Sequence, residues 1–286
     1  MPVRIVTDSS SGVPPQVAAD LGITVVGLHL MGDDDERSTS GLSALELTAA
    51  YARQLERGGD SGVVALHLSK DLSATWSAAV TASGVFDGAV TVIDTQSIGM
   101  CVGAAAMAAA RLALDGATVT ECVELAEDTL ARSQTWIYLH RIDEIRRSGR
   151  ISATTAVVST ALATKPIMQI TDGRIELAVK TRTQSKAFAK LTELICDRAA
   201  GQPVFIAIQQ NEAREAARTL ETQLYGELPV GSSIMITEMD PILAVHCGPG
   251  ALGVSTVFSQ REDEVAQPPA SETETAVDSG ATAGAE

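Results

Sequence analysis

The chain has 286 residues, enough for one large domain or two modest ones, and its 45% hydrophobic and 3% aromatic content indicates a globular protein with an aliphatic core. A net charge of −15 argues against nucleic acid or an anionic membrane surface as a partner. No apolar run reaches the ~18 residues of a membrane span, so stable membrane insertion is not expected.

Met1-Pro2-Val3-Arg4 leads directly into a first strand without a signal-peptide pattern, which makes the cytoplasm the expected compartment. Strands are expected at Val3–Thr7, Ile23–Leu30, Val63–Leu68, Val90–Ile93 and Trp136–Leu139. Helical stretches lie between them, including Gln16–Leu21, Ala44–Arg57 and Ala104–Leu114. Ser43-Ala44-Leu45-Glu46 reads as a capping box, and Thr118-Val119-Thr120-Glu121 reads as another. Such alternation implies an α/β fold with a mostly parallel sheet and helices on its faces. After Gly149 the pattern changes. Pro166–Thr171 and Arg174–Lys180 flank Asp172-Gly173, a strong hairpin signal. Helices at Ser185–Ala199 and Glu212–Tyr225 follow, with strands at Val204–Ile208, Ser233–Thr237 and Val254–Phe258. The expected organisation is therefore a βα-alternating domain over 1–150, a second α/β domain with antiparallel strands over 151–260, and a tail over 261–286. The tail holds seven acids and one base among Pro, Ser, Thr, Gly and Ala, and is expected to be disordered.

Candidate chemistry gathers where the parallel strands end. Asp8-Ser9-Ser10-Ser11 follows the first strand and Thr39-Ser40 lies beyond the second. Ser69, Ser73 and Thr75 follow the third, and Asp94-Thr95 the fourth. Ligands of open α/β sheets bind beyond the carboxyl ends of the strands, so these hydroxyls could hold an anion; equally, they could cap the following helices. His29, His67 and His140 sit in or at the end of apolar strands and read as structural, whereas His246 stands in a Gly/Pro loop and is open to a ligand role. Gly248, Gly250 and Gly253 spell G-x-G-x-x-G, but Val254–Phe258 after them reads as a strand instead of the helix a dinucleotide needs. No metal-ligand spacing, G-x-S-x-G elbow or Walker A loop is present. Cys101, Cys122, Cys196 and Cys247 are scattered and read as buried thiols.

Taken together, Asp8-Ser9, Thr39-Ser40-Gly41-Leu42-Ser43, Leu72-Ser73-Ala74-Thr75, Gly149-Arg150-Ile151-Ser152, Lys165-Pro166-Ile167, Lys180-Thr181-Arg182-Thr183 and His246-Cys247-Gly248-Pro249-Gly250-Ala251 resemble the DegV family from about Val3 to Phe258. This is the fatty-acid-binding family whose FakB members serve a separate fatty acid kinase. The resemblance implies a long-chain fatty acid such as palmitate or oleate buried between two domains, no other cofactor, and no catalysis by the carrier itself. It assigns Thr39, Ser73 and His246 to the carboxylate. Ser9, Ser10, Ser40, Thr75, Asp94, Gly248 and Gly250 are further candidates for the pocket. Arg150, Lys180 and Arg182 would serve phosphoryl transfer or kinase engagement, with the kinase bringing ATP and forming the acyl phosphate. Gly41-Leu42 replaces the usual Gln-Pro, Ala74 replaces a usual glycine, and only Met31–Ser38 separates the second strand from the Thr-Ser motif.

The implied role is physically coherent. Burying ~15 methylenes is worth a gross ~12 kcal/mol before ordering costs. Hydroxyls can satisfy a buried carboxylate without clamping it as a cation would. Two alternatives remain open on the sequence: an acyl-ester hydrolase using Ser73 or Ser9 as nucleophile, His246 as base and Asp8 or Asp94 as orienting acid, or a binder of another small carboxylate.

Overall fold

The structure, a computed structural model, describes residues 1–32, 37–151 and 164–262. Most of the acidic tail, Asp33–Glu36 and Ser152 lie outside these residues.

The first unit is a parallel sheet of order β2-β1-β5-β6, formed by β1 (Arg4–Asp8), β2 (Thr24–Val26), β5 (Val63–His67) and β6 (Val90–Asp94). Helices cover both faces, so its strands are apolar on both sides. On β5, Val63 and Ala65 face α2 (Ala44–Gly58) and α3 (Thr75–Ser83). Val64 and Leu66 face the alanine-rich α4 (Met100–Leu114) and α5 (Val119–Ala131). α1 (Pro15–Leu21) packs beside α4. Both capping boxes form: Ser43 receives the Glu46 N–H, Thr118 receives the Glu121 N–H, and each glutamate accepts in return.

The second sheet has six strands in the order β11-β10-β12-β7-β8-β9. These are β7 (Ser133–Tyr138), β8 (Lys165–Thr171), β9 (Arg174–Thr181), β10 (Val204–Gln210), β11 (Ser233–Glu238) and β12 (Leu252–Phe258). β10 and β11 run parallel and every other neighbouring pair is antiparallel. Between β8 and β9, Asp172 and Gly173 both have positive φ (47° and 80°), the backbone a two-residue hairpin turn requires. α7 (Gln184–Ala199) and α8 (Arg214–Glu227) bury one face, around Phe188, Leu191, Ile206 and Val254. The short α6 (Asp143–Arg147) and α9 (Pro241–Cys247) border the other.

Two expectations need correction. The strand at Trp136–Leu139 is not parallel and does not belong to the first sheet: β7 lies between β12 and β8 and pairs antiparallel with both. The chain therefore passes between sheets at about Arg132, ahead of the boundary expected at residue 150. The apolar pattern of β7 could not reveal this, because it is buried on both faces in either sheet. The strand expected at Ile23–Leu30 is broken. β2 ends at Val26, Gly27 and Leu28 turn away, and β3 (His29–Met31) forms a separate hairpin with β4 (Ser38–Ser40).

Candidate functional site

A cavity of about 840 Å³, part of it open to solvent, lies between the carboxyl ends of the parallel strands and the uncovered face of the second sheet. Leu68 and Leu72 follow β5, Ile98 follows β6, and Ile137 and Ile175 project from β7 and β9. Leu243 of α9 and Ile145 of α6 add to a lining that is mainly aliphatic. An extended apolar ligand fits such a wall; a sugar or nucleotide would leave many polar groups unpaired.

Polar groups collect at one part of this lining: Thr39 and Ser40 from β4, Ser73 ahead of α3, His246 in the last turn of α9, and Arg150 after α6. Thr39 Oγ1 and His246 Nε2 are 2.8 Å apart. His246 is helical and does not occupy the loop expected for it. Asp240 caps α9 through the Ile242 N–H at 2.9 Å, and Pro241 supplies a first-turn residue that needs no amide partner. Burial, followed by the nearby Arg150 guanidinium, lowers the His246 imidazole to about 4, so the ring is neutral at pH 7. When its Nε2 donates to Thr39, the hydroxyl proton of Thr39 is free for an incoming anion. Ser73 Oγ is 2.9 Å from Thr75 Oγ1 and receives the Thr75 N–H at 3.2 Å, which leaves capacity for a ligand.

Residues 34–259 match the family described as "Uncharacterised protein, DegV family". A DegV domain-containing protein of Corynebacterium glutamicum is 66% identical over 93% of this chain and 97% of its own length. The chain belongs to the DegV family. A crystal structure of a DegV family protein from the same organism superposes with a TM-score of 0.89 at 67% identity, covering 91% of this chain and 99% of that one. A fatty-acid-binding DegV family protein from Thermus thermophilus gives a TM-score of 0.82 at 25% identity, covering 90% and 100%.

The DegV motif residues divide into those that line the cavity and those that hold it. Thr39, Ser40, Ser73, Arg150 and His246 line it. Ser9, Ser10, Thr75, Asp94, Gly248 and Gly250, candidates for the same pocket, do not. Ser10 is fully buried against Asp8, whose carboxylate also accepts from Leu68 N (3.0 Å) and lies 3.1 Å from His67 Nδ1. That cluster ties the ends of β1 and β5 together. Ser9 Oγ receives the Leu28 N–H at 3.2 Å and fixes the bend that turns Leu28 toward the cavity. Thr75 receives the Leu42 N–H. Asp94 bonds Lys70 at 2.6 Å. Gly248 and Gly250 have positive φ in the turn from α9 to β12, where a Cβ would crowd Glu144 and His140 respectively. Lys180 and Arg182 are exposed at the end of β9, away from the lining.

The departures from the usual DegV motifs have local explanations. A Cβ at Gly41 would come within 2.9 Å of Ser73 Oγ, so glycine lets the β4 segment lie directly on Ser73 and Thr75. Ala74 sits in ordinary right-handed backbone before α3 and needs no glycine. The triad of a hydrolase is not assembled. His246 meets Thr39, Ser73 meets Thr75, and Asp8 and Asp94 meet His67 and Lys70. Sequence reasoning missed the inward residues of the second sheet, among them Gln209 and Gly253. The available signal was a glutamine inside Val204–Gln210, a strand that is otherwise apolar up to that point.

Proposed function

We propose that this chain binds a long-chain fatty acid, with the acyl chain between the two units and the carboxylate at Thr39, Ser73 and His246. The observation that carries the reading is an aliphatic cavity with hydroxyls and a neutral imidazole gathered at one part of its wall. The fatty-acid binding of the Thermus thermophilus relative supports it. Hydroxyl donors suit a carboxylate that must later react, because they satisfy its lone pairs without neutralising it.

The chain then acts as a carrier and has no catalytic step of its own. It presents the carboxylate to a separate ATP-dependent kinase, which forms the acyl phosphate. Arg150 is exposed beside the carboxylate position, where an approaching phosphoryl group would meet it; Lys180 and Arg182 would contact the kinase at a distance from the cavity.

Native mass spectrometry of protein purified from a bacterial host tests the binding step. The expected result is about one fatty acid per chain, released by solvent extraction. Apo-protein alone, with no mass gain on adding palmitate or oleate, would overturn the proposal. Trapping the product with hydroxylamine after incubation with ATP and the cognate kinase tests the transfer step, and absence of hydroxamate from a loaded carrier would remove the kinase from the account.

A further inference from the structure

The glycines of the G-x-G-x-x-G sequence divide by cause. Gly248 and Gly250 have positive φ (74° and 83°), a backbone that glycine adopts without steric cost. Gly253 is different: it lies within β12, and its φ is outside the left-handed region. Packing does not demand glycine there either. A Cβ would meet its nearest neighbours, Met239 Cε at 3.7 Å and Gln209 Cβ at 3.8 Å, at ordinary contact distance. Glycine weakens a strand, because it loses the most backbone freedom on folding and packs no side chain. The free protein therefore gains nothing from Gly253, and alanine or valine would suit the strand better.

The position faces the cavity. Leu252 and Val254 turn to the helices of the second unit, so Gly253 presents its other face to the lining. Gln209 and Ile137, its partners on the two neighbouring strands, line the cavity as well. The wall thus has a notch there, bare backbone between two side chains. Its place relative to the carboxylate position follows from α9. Met239, Ile242, Leu243 and His246 recur at the spacing of one helical face, and all four line the cavity. His246 is in the last turn of α9, whereas Met239, which borders the notch, precedes the first. The helix has seven residues, so its ends stand roughly 10 Å apart at 1.5 Å per residue. The notch is therefore remote from His246 and from the carboxylate assigned to it.

We infer that Gly253 is a specificity-determining residue: the acyl chain runs against the bare β12 backbone there, and the missing side chain sets how long a chain the cavity accepts. The inference rests on the reading of this cavity as a fatty-acid site and adds what decides chain length. A strand glycine without a structural cause marks the close approach of another group, and the group this wall faces is the ligand. A side chain in the notch would take the volume of passing methylenes and overpack the loaded cavity while leaving the empty one undisturbed.

The test compares the full-length, lipid-free protein with Gly253→Ala and Gly253→Val by isothermal titration of decanoate, laurate, myristate, palmitate and stearate. The quantity read is the affinity for stearate divided by that for the shortest acid bound. It should fall about tenfold in Gly253→Val and by less in Gly253→Ala, since one methylene of space in an apolar pocket is worth about tenfold or more. Melting temperatures of the lipid-free variants should equal or exceed that of wild type. A ratio within about twofold of wild type in Gly253→Val overturns the inference, as does an equal loss of affinity at every chain length. A lipid-free Gly253→Ala protein that melts several degrees lower also overturns it, because the fold itself would then need the glycine. If the wild-type protein binds none of these acids, the fatty-acid reading itself has failed.

Discussion

Replacing Thr39 with valine keeps the shape of the side chain and removes its hydroxyl. In the free protein this breaks one contact, the 2.8 Å pairing with His246 Nε2. In the proposed complex it removes a donor from the carboxylate. A hydrogen bond to a charged group contributes about 1.5–3 kcal/mol. Thr39 is only half-buried and solvent can partly replace it, so the lower part of that range applies. Palmitate should bind roughly 10- to 20-fold more weakly to Thr39→Val, at about 1.4 kcal/mol per decade. Thr39→Ser restores the hydroxyl and should recover most of the loss. Isothermal titration at pH 7.5 resolves such changes. Palmitate affinity of Thr39→Val within twofold of wild type would show that the carboxylate lies elsewhere, and the assignment of Ser73 and His246 would fall with it.

Ser73→Ala should also weaken palmitate binding, by on the order of 1–3 kcal/mol, whereas Arg150→Ala should chiefly lower the acyl phosphate formed per bound fatty acid; an unchanged yield per loaded carrier would separate Arg150 from phosphoryl transfer. His246 titrates at about 4 in the folded chain and near 6.5 when unfolded, so between these values the unfolded chain binds the proton first. Its contribution to stability is thus complete above about pH 6.5 and lost as pH falls toward 4, and urea midpoints should fall more steeply over that window for wild type than for His246→Gln. A constant difference between the two proteins would refute the assignment. Phe188 is 1% exposed and meets the Tyr138 ring edge-on at 5.2 Å, so Phe188→Ala should cost about 3–5 kcal/mol by urea denaturation. Arg174→Ala breaks only the 3.1 Å surface pair with Asp71 and should cost less than about 1 kcal/mol by the same measurement.

The parts of this fold that local chemistry dictates were legible in the sequence. The capping boxes at Ser43 and Thr118 depend on residues three apart, and the turn at Asp172-Gly173 depends on two neighbours. Sheet membership was not legible. Nothing within β7 records that its partners are β8 and β12, because that pairing is chosen by long-range packing. The bend at Gly27-Leu28 was missed for a similar reason: the group that holds it, Ser9, is distant in the chain. The DegV motifs located the polar part of the cavity and overstated its size, since Ser10, Thr75 and Asp94 support neighbouring backbone or side chains outside the lining. His246 lines the cavity, but from a helix and not from the Gly/Pro loop expected for it. A short helix capped by Asp240 begins at Pro241, seven residues before Gly248, the first of the glycines beside it.

The late position of β12 has a consequence for synthesis. All four strands of the parallel sheet are encoded by residue 94, so that sheet is available early as the chain leaves the ribosome. β7 pairs with β12 about 120 residues downstream, and the second sheet stays split until that last strand arrives. Until then the aliphatic wall beyond the parallel strands faces solvent as an open half-groove. A newly made chain thus passes through an interval in which it can neither enclose a ligand nor hide the surface that will later hold one, and that interval is where self-association during expression would begin.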